Sequence, residues 1–154
     1  MFNEIILKEI DEIKARYPER RSAVLPALYL AQREFGWLSS EAVMSVAKAL
    51  NLPAATVRGT ASFYSMYKHK PVGRHLIQMC TNVSCMILGA EKLVDFLKNR
   101  YDLEPGGMTR DGRFSLVIME CIGACGTAPA MLLDTDFYEN LTEIRIEEIL
   151  GRYK

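Results

Sequence analysis

Long apolar runs are missing from this chain of 154 residues. No stretch approaches the roughly 20 apolar residues that a membrane-spanning helix needs, so direct membrane insertion is not expected. Net charge is missing too, because Lys+Arg and Asp+Glu balance at 19 each. That balance argues against an extended electrostatic grip on nucleic acid or on an anionic membrane. Histidine is scarce, with two residues, and tryptophan occurs once. There is no Ser–His–Asp set, no Gly-rich phosphate loop after a strand and no H-E-x-x-H helix. The stretch Gly107-Met-Thr-Arg-Asp-Gly112 reads as a turn and not as a nucleotide cradle. No catalytic site of its own is therefore expected. The N-terminus carries acids early and lacks a basic segment followed by an apolar run, so it does not read as a secretion signal. A reducing compartment is expected, where paired cysteines serve more often as metal ligands or redox groups than as disulfides.

What is present is an ordinary globular composition, 49% hydrophobic and 25% charged, enough to bury a core without disulfide staples. Two halves meet near Pro71-Val72-Gly73, giving expected domains at 1–71 and 72–154. The first half reads as helices. Ile6, Ile10, Ile13 and Tyr17 share one helical face, and Pro18 stops the run. Val24, Leu28, Ala31 and Phe35 make a second face, ended by Gly36, with Pro26 early enough to be tolerated. Ser39 or Ser40 can cap a third helix with Val43, Val46, Ala47 and Leu50 inward. Pro53 opens a fourth, carrying Val57, Ala61 and Tyr64 on one side.

The second half alternates. Leu76 to Cys80 reads as a strand. Ala90, Leu93, Val94, Leu97 and Tyr101 form a helical stripe. Gly106-Gly107 and Asp111-Gly112 are turns. Phe114 to Glu120 is a nearly continuous apolar run, predicting a buried central strand. Pro129 to Leu133 is a further short strand. Thr142 can cap a last helix using Ile144, Ile146, Ile149 and Leu150. The pattern β-α-β-β-α predicts a small sheet with helices packed on it, and the whole chain an α+β protein.

All four cysteines fall into two pairs, Cys80-x4-Cys85 and Cys121-x3-Cys125, separated by 35 residues. Each pair sits just past a predicted strand end, so both loops are expected at one edge of the sheet. Four thiolates converging there suit a [2Fe–2S] cluster, in which each iron takes two protein sulfurs beside two bridging sulfides. Its negative charge calls for nearby donors. Gly123 and Gly126 let backbone N–H groups approach, a helix starting near Met86 would point its positive end at Cys85, and Thr81 and Ser84 offer hydroxyls. Structural zinc is the competing reading, although its usual C-x2-C spacing is absent. A thioredoxin-type dithiol lacks its C-x-x-C, and disulfides lack a secretory context.

Four further stretches resemble a known family. Arg58-Gly-Thr-Ala-Ser-Phe-Tyr-Ser-Met-Tyr67, Cys80-Thr-Asn-Val-Ser-Cys85, Asp111-Gly-Arg-Phe-Ser-Leu116 and Glu120-Cys-Ile-Gly-Ala-Cys-Gly-Thr-Ala-Pro-Ala130 are similar to segments of the thioredoxin-like [2Fe–2S] subunit of NADH dehydrogenases such as respiratory complex I. The resemblance runs from the second helix to the C-terminus. It implies an N-terminal helical bundle followed by a thioredoxin-like α/β domain carrying one [2Fe–2S] cluster on Cys80, Cys85, Cys121 and Cys125. It also implies an electron-transfer subunit of an NADH:quinone oxidoreductase, exchanging one electron with the FMN of a partner flavoprotein that binds NADH. The chain itself would bind neither nucleotide. It would lie in the cytoplasm, in the peripheral arm of a larger complex. The same subunit type serves NAD-linked hydrogenases and formate dehydrogenases, and a four-cysteine zinc module that merely docks subunits is the alternative from another class. A stand-alone ferredoxin is disfavoured by the extra helical half. Two departures stand out: Thr-Asn-Val-Ser fills the first loop in place of the common small-residue version, and Gly59 stands where an acid is frequent.

Phe63, Tyr64 and Tyr67 read first as core and second as a face for the flavoprotein. Lys68, His69, Lys70, Arg74 and His75 form a basic patch, read as solvated surface or as a docking face for an acidic partner. His69 and His75 as metal ligands are set aside, since four cysteines complete the set. Met79, Met86, Met119 and Met131 read as apolar packing around the ligand loops.

Overall fold

The computed structural model describes residues 2–153. The chain divides into two compact units, Met1–Pro71 and Val72–Lys154.

In the first unit, α1 spans Glu4–Ala15, and the Asn3 side chain caps it by accepting the Ile6 N–H at 2.9 Å. Ile6 and Ile10 are buried and Ile13 packs against the same core. The helix ends before Pro18, so Tyr17 falls outside it and is exposed, contrary to its expected place on the apolar face. A 3-10 turn over Arg20–Ala23 leads into α2, Val24–Phe35. Pro26 is the third residue of α2, where an N–H has no intrahelical partner to lose. Phe35 remains partly exposed and stacks on Phe2 with centroids 5.5 Å apart. Helix α3 spans Ser40–Leu50; its cap is Ser39, whose Oγ accepts the Ala42 N–H at 3.1 Å. Helix α4 spans Ala54–Phe63, with Pro53 immediately before it. Val24, Leu28, Val46, Leu50 and Val57 join one core. The segment after α4 is tied back by Tyr67, whose hydroxyl donates to the Leu25 carbonyl at 2.8 Å.

The aromatic trio divides. Tyr67 is buried, but Phe63 is 80% exposed and Tyr64 lies partly exposed past the helix end. Phe63 is the last residue of α4 and has no element of this unit beyond it, so its place in the core is corrected.

In the second unit, β1 (His75–Cys80), β2 (Phe114–Met119), β3 (Met131–Leu133) and β4 (Asp136–Tyr138) form one sheet in the order β2-β1-β3-β4. β1 and β2 run parallel, with Cys80 opposite Met119, and β3 runs antiparallel to β1, with Met79 opposite Met131. The crossover from β1 to β2 carries α5 (Val83–Ile87) and α6 (Ala90–Tyr101), and α7 (Glu143–Arg152) follows β4. Thr142 caps α7 by accepting the Arg145 N–H at 3.2 Å. Ile77, Leu97, Phe114, Leu116, Met131, Leu133 and Ile146 make the core.

Three expectations change here. The central strand is β1; the apolar run of β2 lies at the sheet edge, met on its outer side by the loop through Gly107 and Thr109. Beyond that loop Ile118 is exposed. A fourth strand, β4, pairs back on β3 across a turn at Asp134-Thr135, too short to leave a period in the sequence. Ile144 lies on the outer face of α7, while Ile146, Ile149 and Leu150 face inward. Gly73 is required by close approach: a Cβ there would sit 2.8 Å from the Phe114 carbonyl carbon. Among the described residues, no helix is long and apolar enough to cross a membrane.

Candidate metal centre

The parallel register fixes the site. Cys80 ends β1 opposite Met119 near the end of β2, so Cys80 and Cys121 leave neighbouring strands at one edge of the sheet. The chain then turns through Thr81 and Asn82 into the short helix α5. Cys85 lies inside that helix, not ahead of one starting near Met86 as expected, so the helix dipole does not point at its thiol from outside. The second loop runs through Gly123, at φ +83°, to a 3-10 turn over Cys125–Thr127. A left-handed residue is needed there to swing Cys125 back, and glycine takes it without a Cβ clash. The Ala128–Pro129 peptide that follows is cis.

All four thiols are free of disulfides. Cys80 and Cys85 are each about 2% exposed and pack with Ala90 and Ala128, whereas Cys121 and Cys125 are exposed. Their sulfurs interact across the loops. Burial acts to raise the Cys80 thiol, but the amide N–H groups of Asn82 and Ile122, with the thiols of Cys85 and Cys121 as further donors, outweigh it and hold the group below its ordinary range. Cys85 is pushed the other way, first by burial, then by giving its proton to Cys80 and by the nearby charge of Cys80 and Cys125, against an opposing N–H from Ala130. The Gly123 N–H donates to Cys121 Sγ at 3.4 Å. Apart from the thiols themselves, the donors at sulfur are backbone amides. The Gly123 amide acts as expected. Among the described residues, the hydroxyls of Thr81 and Ser84 are not among these donors.

This donor set fits an iron–sulfur cluster. Among the described residues, no three Cys, His, Asp or Glu side chains are grouped closely enough to hold a single metal ion; electrostatic influence links Cys80 with Cys85 and Cys121, and Cys85 with Cys125. A two-iron rhomb takes its ligands as two separated pairs, and aimed N–H groups offset its negative charge. Residues 81–90 and 121–131 contain no Asp, Glu, Lys or Arg. The structure places the four sequence candidates in two loops at one sheet edge, Cys80 and Cys85 in the first and Cys121 and Cys125 in the second. The two histidines are in neither loop: His69 Nε2 lies 3.1 Å from the Ala61 carbonyl oxygen, and His75 Nδ1 lies 2.7 Å from Asp134 Oδ2, at the opposite end of β1 from Cys80. Of the flanking methionines, Met79 and Met131 are fully buried, while Met86 is exposed.

The chain is similar to known proteins over most of its length. The chain is 40% identical over 147 residues to an E-type subunit of the NADH-quinone oxidoreductase of Rhizobium meliloti, covering 96% of this chain and 88% of that one. It is 39% identical over 145 residues to the corresponding subunit of Salmonella typhimurium (94% and 87% covered) and 39% identical over 138 residues to that of Escherichia coli (90% and 83% covered). Among solved structures, the air-oxidised NAD+-reducing [NiFe]-hydrogenase matches with a TM-score of 0.73 and 27% identity. That match covers 84% of this chain but only 22% of the longer hydrogenase chain. The model of the thioredoxin-like [2Fe–2S] ferredoxin family matches residues 10–154, and the chain belongs to that family.

Proposed function

We propose that Cys80, Cys85, Cys121 and Cys125 ligate one [2Fe–2S] cluster, and that the chain is the one-electron transfer subunit of an NADH:quinone oxidoreductase. The observation that carries this is that two loops, each bearing two free cysteines, leave the neighbouring strands β1 and β2 at one sheet edge, where the Cys80 N–H donates to the Ala130 carbonyl of the second loop at 3.1 Å. When bound, the cluster supplies a one-electron donor and acceptor. The chain's own residues do the rest. Burial of Cys80 and Cys85 keeps water from one side of the site, and the amides of Asn82, Ile122, Gly123 and Ala130 favour thiolate over thiol.

The partner in this reading is a flavoprotein subunit that binds NADH and FMN. Val83, Met86, Ile87 and Leu88, all exposed beside Cys85, give a charge-free apolar surface on which such a subunit can settle. Residues 72–154 form the cluster domain and residues 1–71 a helical bundle domain, where exposed Phe63 offers a second contact. The protein works in the cytoplasm, in the peripheral arm of its complex. The diaphorase part of an NAD-linked hydrogenase is the second reading, favoured by the likeness to the NAD+-reducing enzyme.

Electron paramagnetic resonance of the anaerobically purified, dithionite-reduced chain tests the cluster. A spin-half signal, with about two irons and two acid-labile sulfides per chain, is expected. A colourless, silent protein holding zinc overturns the proposal. Mixing with the FMN-loaded flavoprotein subunit and NADH should then develop the same signal without dithionite.

A further inference from the structure

The second ligand loop is held from behind. Thr127 stands two residues after Cys125 and ends the 3-10 turn that begins there. Its Oγ1 donates to Glu139 Oε2 at 2.6 Å. The backbone repeats the grip: the Asn140 N–H donates to the Thr127 carbonyl at 2.7 Å and the Leu141 N–H to the Pro129 carbonyl at 3.0 Å. Asn140 adopts φ +51°, a conformation asparagine tolerates better than most residues, and this lets successive groups of 139–141 face the loop. Three bonds from three consecutive residues therefore hold the segment 127–129.

Two of those bonds are backbone and survive any substitution but proline. The third brings a carboxylate. Glu139 is half-buried, so its charge is screened less than that of a fully solvated acid. It also claims the Thr127 hydroxyl proton, which then is not available to sulfur. Both effects have the same sign. The amides at Cys80, Cys85 and Cys121 stabilise added negative charge, whereas a fixed carboxylate behind Cys125 opposes it.

Resting on the cluster assignment above, we infer that Glu139, acting through Thr127, is a positioning residue for the second ligand loop and lowers the reduction potential of the cluster. The test is a redox titration of the full chain followed by paramagnetic resonance, on wild type, Glu139→Gln, Thr127→Ser and Thr127→Val, with Glu120→Gln as a charge control. Glu120 adjoins Cys121 but is exposed. Glu139→Gln keeps an acceptor for the Thr127 hydroxyl and removes the charge; its midpoint should move positive, by more than that of Glu120→Gln. Thr127→Ser keeps the hydroxyl and should match wild type. Thr127→Val should change the g-values and lose iron to a chelator faster. A Glu139→Gln midpoint equal to wild type, or moved no further than the control, overturns the inference while leaving the cluster assignment intact. If Glu139→Gln assembles no cluster, Thr127→Val decides: a wild-type signal and potential overturn the inference, and altered ones support it. A wild-type chain without any [2Fe–2S] signal removes both the functional reading and this one.

Discussion

The two ligand loops solve the same problem in different ways. The first goes directly from a central strand into a helix, and it buries both its thiols, at about 2% exposure each. The second leaves an edge strand, turns on Gly123 and a 3-10 turn, and exposes both of its thiols. Regular structure holds both thiols, Cys80 at the end of β1 and Cys85 within α5. Cys121 and Cys125 sit in an irregular loop whose far end, residues 127–129, is held by bonds from residues 139–141. The difference teaches that one half of the site is built by the fold and the other is closed over it.

Removing a buried thiol should have the largest effect. Cys80→Ser or Cys85→Ser is expected to abolish the cluster, read as loss of the reduced-state signal and of sulfide. Cys125→Ser leaves one iron short of a thiolate at the exposed side and should retain a weakened cluster with a displaced signal. Equal and complete loss in all three variants breaks the comparison. Gly73→Ala lies outside both loops and forces a Cβ to within 2.8 Å of backbone. It should cost about 1–3 kcal/mol of stability by chemical denaturation of the metal-free chain, and no measurable loss would mean that β2 yields readily.

Alkylation sharpens the contrast further. In the metal-free chain, iodoacetamide should label Cys121 and Cys125 at least ~10-fold faster than Cys80 and Cys85, because the buried pair reacts only after local opening. Peptide mapping by mass spectrometry reads this, and uniform labelling would show that the first loop is not preformed. Gly123→Ala should have the smallest effect. A side chain at φ +83° costs roughly 1–2 kcal/mol. It should appear as faster iron loss to a chelator, with the far-ultraviolet circular dichroism of the metal-free chain unchanged.

Local chemistry was legible in the sequence and neighbour choice was not. Ser39, Pro53 and Thr142 mark helix starts because a cap is a matter of a few adjacent residues. The four cysteines were legible because strand ends and turn glycines bracket them. The run Phe114 to Met119 carries enough apolar residues for a central strand, but its composition does not say which strands lie beside it, and it sits at the edge. Strand β4 is three residues long and helix α5 five, shorter than the periods that betray such elements. Phe63 and Ile144 follow helical spacing and still face outward, since spacing identifies a face without saying that anything covers it. The amides at sulfur were missed in part because every residue but proline carries one; only the fold decides which are aimed.

The exposed thiols of Cys121 and Cys125 have a consequence for the order of events in the cell. In the proposed function, iron and sulfide would reach the site from the side where those two groups meet solvent, while the partner would settle on Val83, Met86, Ile87 and Leu88, beside the buried pair. Filling and docking then use different surfaces, so neither event has to wait for the other.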